Sequence, residues 1–386
     1  MVGSTRQRDL RGRAVRRHLP WRRRCPPART SPGARPTGLE HEGRTMQQPS
    51  TTDAPWMLRA LELAANGPEA DPNPRVGCVL VGPDGTLVAE GWHRGAGTPH
   101  AEAAALAAAG ERARGCTAYV TLEPCHHTGR TEPCSHALAA AGITRVMYAV
   151  PDPNASAAGG AAWLAEQGVS TEGGVLRTAS EALNRTWLHL KRTGRPWVTW
   201  KLATTLDGRS AAADGTSQWI TGPEARADVH EQRARCGAIL IGTGTALNDN
   251  PRLTVRLPDG SLHERQPLRV VMGQRDLPSD ARLFDDAAET LHLRTRSPRE
   301  VLTALAAREI HHVWLEGGPT VAAAFMADGL VDEIVAYVAP VLLGRGRPSV
   351  SDLGITTIAD ALRLDPTDTR VVGHDIRITA TLQETL

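Results

Sequence analysis

The chain alternates between two hydrophobic rhythms. APWMLRALELAAN, Ala54 to Asn66, spaces its apolar residues as an amphipathic helix does and is closed by Gly67. RVGCVLV and TLVAEGW, joined by the turn GPDG, predict a β-hairpin. HAEAAALAAAG is Ala-rich with a terminal Gly110 and predicts a helix opening at its His. TAYVTL predicts a buried strand, PCSHALAAAG a helix with Pro133 in its first turn, TRVMYAV another strand, and GGAAWLAEQGVSTEGG a further helix and strand.

The polar stretch HLKRTGRPW at residues 189–197 reads as a domain junction, after which the pattern begins again. WVTWKLATTLDGRSA predicts one strand, GPEARADVHEQRARC a helix with Pro223 in its first turn, and GAILIGTGTAL a strand leading into a Gly-rich turn. LRVVMG, HHVWLEGG, the helix PTVAAAFMADG and the strand VDEIVAYVAP follow. Strands and helices alternate throughout, so the expected class is α/β, with an α/β/α layered sheet in the first half. The expected boundaries are an extension over residues 1–49, one domain over 50–193 and a second over 194–386. No internal repeat relates the two.

Charge changes the picture at one end. The whole chain carries +2, but residues 1–45 hold twelve Arg, no Lys and only three acids (Asp9, Glu40, Glu42), leaving 32 bases against 39 acids elsewhere. The folded part is therefore acidic, which argues against a nucleic-acid surface. The Arg- and Pro-rich opening has no helical period and is expected to be disordered: a targeting peptide, a basic arm, or an upstream start with Met46 opening the working chain. No run of about twenty apolar residues suggests a membrane span. Six irregularly placed Cys without a secretory segment point to a reducing compartment, the cytoplasm, rather than to a disulfide framework.

That leaves Cys125 and Cys134 to be explained. His100 opens a helix, Cys125 follows a strand and Cys134 opens the next helix, and such ends can converge on one edge of a layered sheet. Three ligands with an open fourth position make a catalytic zinc site, in which Glu102 would carry the proton from an attacking water to a leaving amine. Taken singly, each of these is an ordinary helix-end or core residue; their conjunction in this order carries the metal reading. A closed structural zinc remains open, with His126 or His127 as fourth ligand. In the second half, Gly317 and Gly318 lead an apolar strand straight into a helix, a place where backbone N–H groups bind phosphate. The run GTGTAL lacks the third Gly of a dinucleotide fingerprint. Cys78, Cys116 and Cys236 are expected to pack as small hydrophobes, and Trp163, Trp187 and Trp314 as core, whereas Trp219 lies in a polar loop.

The order HAE then PC…C resembles the zinc deaminase superfamily, whose signature is H-x-E…P-C-x-x-C, although eight residues separate the Cys here. The inserted HHTGRTEP, with DPNPRVGCVLV and GWHRGAGTPHAE, resembles the riboflavin-pathway deaminases. KLATTLDGRSA, SQWIT, NDNPRLTVR and EGGPT resemble the reductase half of the same bifunctional deaminase–reductase family, whose fold is similar to dihydrofolate reductase. The resemblance spans residues 54–386 and implies Zn2+ held by His100, Cys125 and Cys134, with Glu102 as proton carrier and Asn73 and His93 holding a pyrimidine. It implies NADPH lined by Ala203, Trp219, Thr245, Asp249, Gly317, Gly318, Pro319, Thr320, Val321, Ala322 and Ala323. It places Ser217, Arg233, Leu253, Arg256 and Glu316 on the substrate, a pyrimidine ribosyl phosphate. Arg233 and Arg256 suit a clamp on the sugar phosphate, Arg130 in the enlarged Cys loop is a second candidate cation, and Lys201 and Asp249 are unranked proton donors for the hydride step. A dimer or tetramer is expected. The competing readings are a nucleoside, base or tRNA deaminase with a C-terminal binding domain, and a non-catalytic zinc-stabilised scaffold.

Overall fold

The computed structural model describes residues 52–127 and 132–383; the N-terminal extension and Arg130 lie outside the described residues. The first half runs α1 (Ala54–Ala64), β1 (Gly77–Val81), β2 (Leu87–Trp92), α2 (Ala101–Ala109), β3 (Thr117–Leu122), α3 (Cys134–Ala140), β4 (Arg145–Val150), α4 (Gly160–Glu166), β5 (Ser170–Gly173), α5 (Arg177–Leu183) and α6 (Arg185–Thr193). Its sheet has the order β2-β1-β3-β4-β5, antiparallel from β2 to β3 and parallel from β3 to β5. Side chains alternate across a strand, so the sheet builds two cores. Cys78, Leu80, Ala118 and Val120 meet the Ala face of α2 and Leu138 and Leu164 of α3 and α4. Val79, Val81, Tyr119 and Met147 meet Met57 and Ala60 of α1 and Trp187 and Leu188 of α6. The result is an α/β/α sandwich. At Gly77 a Cβ would lie 2.0 Å from the Ala60 carbonyl oxygen, so only glycine lets α1 press this closely on β1.

The second half runs β6 (Trp197–Thr205), β7 (Arg209–Ala212), α7 (Pro223–Ala234), β8 (Ala238–Gly242), α8 (Thr243–Asp249), β9 (Leu268–Met272), β10 (Thr290–Leu293), α9 (Pro298–Ala306), β11 (His312–Leu315), α10 (Pro319–Ala327), β12 (Glu333–Ala339), β13 (Gly346–Pro348), β14 (Leu364–Val372) and β15 (Asp375–Leu382). The main sheet has the order β10-β9-β8-β11-β6-β12-β15-β14, parallel from β10 to β12, then antiparallel. β7 and β13 form a separate two-stranded ribbon.

Several expectations are corrected. The single strand expected over residues 197–211 is split by a turn, because the Asp207 carboxylate accepts the Thr205 hydroxyl at 2.5 Å and the Gly344 N–H at 2.6 Å. The Gly-rich turn after β8 is helix α8. The first part of the segment read as a junction, residues 189–193, is the end of helix α6, since Trp187, Leu188 and Leu190 give α6 a buried face among its Arg and Lys. Trp163 is half-buried, with its ring 4.1 Å from that of His136. The two halves meet through His311, whose Nε2–H donates to the Asp71 carbonyl at 2.6 Å while its Nδ1 accepts from the Thr186 hydroxyl at 2.9 Å.

The largest apolar core in the second half closes around Phe325, which is 0% exposed among Val198, Leu240, Val313 and Leu315. Phe325→Ala is expected to destabilise this half by about 3–5 kcal/mol, visible as a lowered denaturant midpoint.

Candidate metal centre and dinucleotide cleft

The ends of β3, α2 and α3 converge on one edge of the first sheet. Cys134 Sγ lies 3.3 Å and Cys125 Sγ 3.7 Å from His100 Nδ1, and the three donor atoms all lie within 4.8 Å of one another. Zinc bonds of ~2.1 Å to nitrogen and ~2.3 Å to sulfur, meeting near the tetrahedral angle, separate the donor atoms by roughly 3.6 Å. The donor set and its spacing therefore fit a zinc ion. The Cys134 thiol hydrogen-bonds Cys125 and, with His100 alongside, pulls the Cys125 thiol below its usual range, which suits a thiolate ligand. Among the described residues no further His, Cys, Asp or Glu joins the cluster. His126, one of two candidates for a fourth ligand, instead faces the Ser135 hydroxyl at 3.0 Å.

Glu102, in the first turn of α2, is 4% exposed. Burial, then the nearby Cys125, push its carboxyl up to about 7. A carboxyl poised there both accepts and releases protons at neutral pH.

The positioning shell contains residues that the motif does not mark. Ser135 donates its backbone N–H at 3.2 Å and its hydroxyl at 3.1 Å to the Cys125 carbonyl. Buried Glu123 accepts the N–H groups of Asp152, Gly159 and Ala161 at 3.1, 3.2 and 3.1 Å, fixing the loop that faces the Cys125 segment. A Cβ on Gly160 would lie 1.9 Å from the Pro124 carbonyl oxygen. A lone acid one residue before a PC pair carries no sequence signal; only its burial shows its task.

His93 and Asn73 lie beside the cluster. The Asn73 amide donates to His93 Nε2 at 3.1 Å, and His93 Nδ1–H donates to the Pro99 carbonyl at 3.0 Å. The His93 ring stands edge-on to His100, centroids 5.5 Å apart. Buried Asp71 accepts the Asn73 N–H at 3.0 Å and the Ala96 N–H at 3.0 Å, and so sets the loops on both sides.

In the second half, glycines bring the start of α10 against α8. A Cβ on Gly242 would lie 2.6 Å from Val321, one on Gly317 2.8 Å from Val321, and one on Gly318 3.6 Å from Thr245 Oγ1. Gly317 and Gly318 thus form a close-packed turn into α10, in which Pro319 and Val321 are half-buried and Thr320 exposed, whereas the Ala322 side chain is buried in the core and Ala323 is half-buried. Ala203 lies on β6 opposite Tyr337, and Asp249 is exposed at the end of α8. Ser217 and Trp219 lie on an exposed loop, the Trp219 ring 4.6 Å from the Arg226 guanidinium.

Arg233 is not free to clamp a phosphate with its fork. Its Nε and one terminal nitrogen bond both Glu316 oxygens at 2.6 and 2.7 Å, and its other terminal nitrogen donates to the Thr254 carbonyl at 3.0 Å. Leu253 has a buried side chain, leaving its backbone for contact. Arg256 is exposed, and burial together with the charges of Arg233, Arg252 and Arg282 lowers its pKa. Burial and the charges of Arg233 and Arg256 push His230 down to about 4, so this patch draws its positive charge from guanidinium.

A zinc-ready ligand cluster on one sheet edge and a glycine-built helix start in a second α/β layer suit a zinc deaminase joined to a reductase, the class that the family comparisons show. Residues 50–150 match the model for the cytidine and deoxycytidylate deaminase zinc-binding region, and residues 196–378 match that for the RibD C-terminal domain. The riboflavin biosynthesis protein RibD of Mycobacterium tuberculosis is 51% identical over 307 residues, covering 79% of this chain and 90% of that protein. Its Escherichia coli counterpart is 42% identical over 361 residues, covering 84% and 98%. Acinetobacter baumannii RibD superposes with a TM-score of 0.79 at 38% identity over 86% of this chain and 99% of that one. A deaminase/reductase from Thermotoga maritima superposes with a TM-score of 0.74 at 30% identity over the same shares, 86% and 99%. The chain belongs to the RibD family of bifunctional riboflavin-biosynthesis enzymes, which pair a zinc-dependent deaminase with an NADPH-dependent reductase.

Two outcomes follow from this geometry. Gly160→Ala is expected to displace the Pro124 carbonyl and with it Cys125, lowering bound zinc well below one equivalent per chain in elemental analysis. Burial alone would raise the Glu316 carboxyl, but Arg233, Lys201 and the Trp314 N–H hold it down at about 2. With its folded pKa depressed below the ordinary 4.5, Glu316 adds stability above that pH and loses it as pH falls toward about 2. The stability gap between the native chain and Glu316→Gln should accordingly narrow across that window in pH-dependent thermal unfolding.

Proposed function

We propose that the chain hydrolytically deaminates 2,5-diamino-6-(5-phosphoribosylamino)pyrimidin-4(3H)-one and then reduces the ribosyl chain with NADPH, yielding 5-amino-6-(5-phosphoribitylamino)uracil. The observation that carries the first step is one imidazole and two sulfurs spaced for a metal, beside a buried carboxyl poised near neutrality. The similar T. maritima protein is a diaminohydroxyphosphoribosylaminopyrimidine deaminase/5-amino-6-(5-phosphoribosylamino)uracil reductase, which supports carrying this chemistry over. Residues 50–193 would perform the deamination and residues 194–386 the reduction.

His100, Cys125 and Cys134 would hold zinc, which supplies the Lewis acidity that makes water a nucleophile at neutral pH. Glu102 takes the proton of the attacking water and returns it to the departing amine, which leaves as ammonia. Asn73 and His93 orient the pyrimidine, their own hydrogen bonds fixing which edges they present. In the reductase, the backbone at Gly317 to Ala323 with Ala203, Thr245, Asp249 and Trp219 would line NADPH, while Arg256, Ser217 and the Leu253 backbone would face the sugar phosphate and the Glu316–Arg233 pair would meet the substrate away from it. Lys201 and Asp249 are the proton-donor candidates for the reduced carbonyl: burial lowers the Lys201 ammonium below the usual lysine range, with Glu316 opposing, and raises the Asp249 carboxyl. A small molecule rather than nucleic acid is the substrate, consistent with the acidic balance outside the N-terminal segment. Zinc-ready thiols suit the reducing cytoplasm, and a dimer or tetramer is the assembly proposed. Among the described residues no helix is long and apolar enough to cross a membrane.

Glu102→Gln is expected to cut ammonia release by about 10²–10⁴-fold while keeping its zinc and its NADPH-dependent reduction of the deaminated intermediate. Full ammonia release by this variant would remove Glu102 from the proton path. Absence of turnover at both sites in the zinc-loaded native chain would favour the scaffold reading.

A further inference from the structure

The residues assigned above to NADPH carry no positive charge; Asp249, the charged one among them, is acidic. Yet the 2′-phosphate is what separates NADPH from NADH, and a protein reads it with a cation. The loop that follows β9 supplies one. Gly273 has a φ of +133°, and a Cβ there would lie 2.6 Å from Thr243 Oγ1, so this loop packs directly on the start of α8. Two residues later, a terminal nitrogen of Arg275 lies 3.2 Å from where a Cβ on Gly244 would be. The guanidinium therefore rests on the Thr243–Thr245 turn, and Thr245 is the residue that faces Gly318 at the start of α10.

Arg275 is exposed, and among the described residues it makes no hydrogen bond, ion pair or ring contact. Its neighbours are committed elsewhere. Asp276 pairs with Arg294, and His292 Nε2–H donates to the Gly273 carbonyl at 2.9 Å. A site for NADH presents a free carboxylate to the ribose 2′-hydroxyl. This loop instead presents an unpaired guanidinium beside a carboxylate already neutralised. We propose that Arg275 binds the 2′-phosphate of NADPH and sets the preference of the reductase half for NADPH over NADH.

The proposal rests on NADPH use by this half, and titration calorimetry on the full chain separates the two. NADPH, NADH, adenosine 2′,5′-bisphosphate and AMP serve as the probes. The native chain should bind NADPH and the bisphosphate more tightly than NADH and AMP. Arg275→Ala should weaken the two 2′-phosphorylated ligands by about tenfold to a hundredfold and leave NADH and AMP unchanged. Arg275→Lys, which keeps the charge and loses the fork, should fall between. Unchanged NADPH binding by Arg275→Ala, or an equal loss of all four ligands in both variants, would overturn the assignment. A native chain that binds none of the four would sink NADPH use itself, and the proposal with it.

Discussion

The deaminase site depends on holding the Pro124–Cys125 segment still between two helix starts. His100 and Cys134 are fixed by α2 and α3, but Cys125 lies in a loop three residues beyond the end of β3. A loop thiolate among buried groups would drift unless its backbone were tied on both sides. The Cys125 carbonyl is claimed twice by Ser135, and the His126 N–H donates to the Ala157 carbonyl at 2.8 Å. Opposite, Gly160 lets α4 approach the Pro124 carbonyl more closely than any side chain would allow. Glu123 completes the clamp. Its buried charge would be expensive alone, and three backbone N–H donors offset that penalty while fixing the 152–161 loop.

The two halves solve different electrostatic problems. The first buries a carboxyl and two thiols together, a concentration of acidic groups that favours a cation among them. The second gathers Arg233, Arg252, Arg256 and Arg282 with few acids between, a concentration that favours an anion. Glu316 modulates this by taking both arms of the Arg233 fork with side chains only 13% and 12% exposed. A buried pair of this kind contributes more to orientation than to stability, since desolvation cancels much of the attraction. It leaves Arg256, on the surface, as the guanidinium available to a sugar phosphate.

The convergence of His100, Cys125 and Cys134, with Glu102 beside them, was legible because zinc chemistry requires those residue types in that order, and because TAYVTL and HAEAAALAAAG are strongly patterned. The core strands β3, β4, β8 and β9 were legible because they are predominantly apolar. What escaped was structure set by tertiary partners. Helix α6 shows its apolar stripe only once Trp187 and Leu188 are known to face β1 and β3. β14 is an exposed edge strand of LDPTDTRVV, whose pairing with β15 no alternation announces. Glu123, Asp71 and Gly160 act through burial and backbone, which a single sequence does not display. The expected phosphate clamp by Arg233 erred because sequence reveals a charge without revealing its partner.

The contact between halves reaches the loop that carries Asn73. Asp71 acts at both ends: its carboxylate orders the Asn73 and Ala96 backbone, while its carbonyl accepts from His311 of the second half. Burial lowers the His311 pKa, so the ring stays neutral, with Nε2–H turned to Asp71 and Nδ1 to Thr186. Next to it, Arg75 and Asn184 exchange two hydrogen bonds, 2.9 and 2.8 Å, that pin the Asn73-bearing loop to the end of α5. The bonds of His311 to Asp71 and Thr186 form only when both halves are in place, whereas the Arg75–Asn184 pair lies within the first half. The loop that presents Asn73 to His93 is therefore set partly by the reductase half, which gives a physical reason for the two activities to share one chain without requiring any passage between their sites.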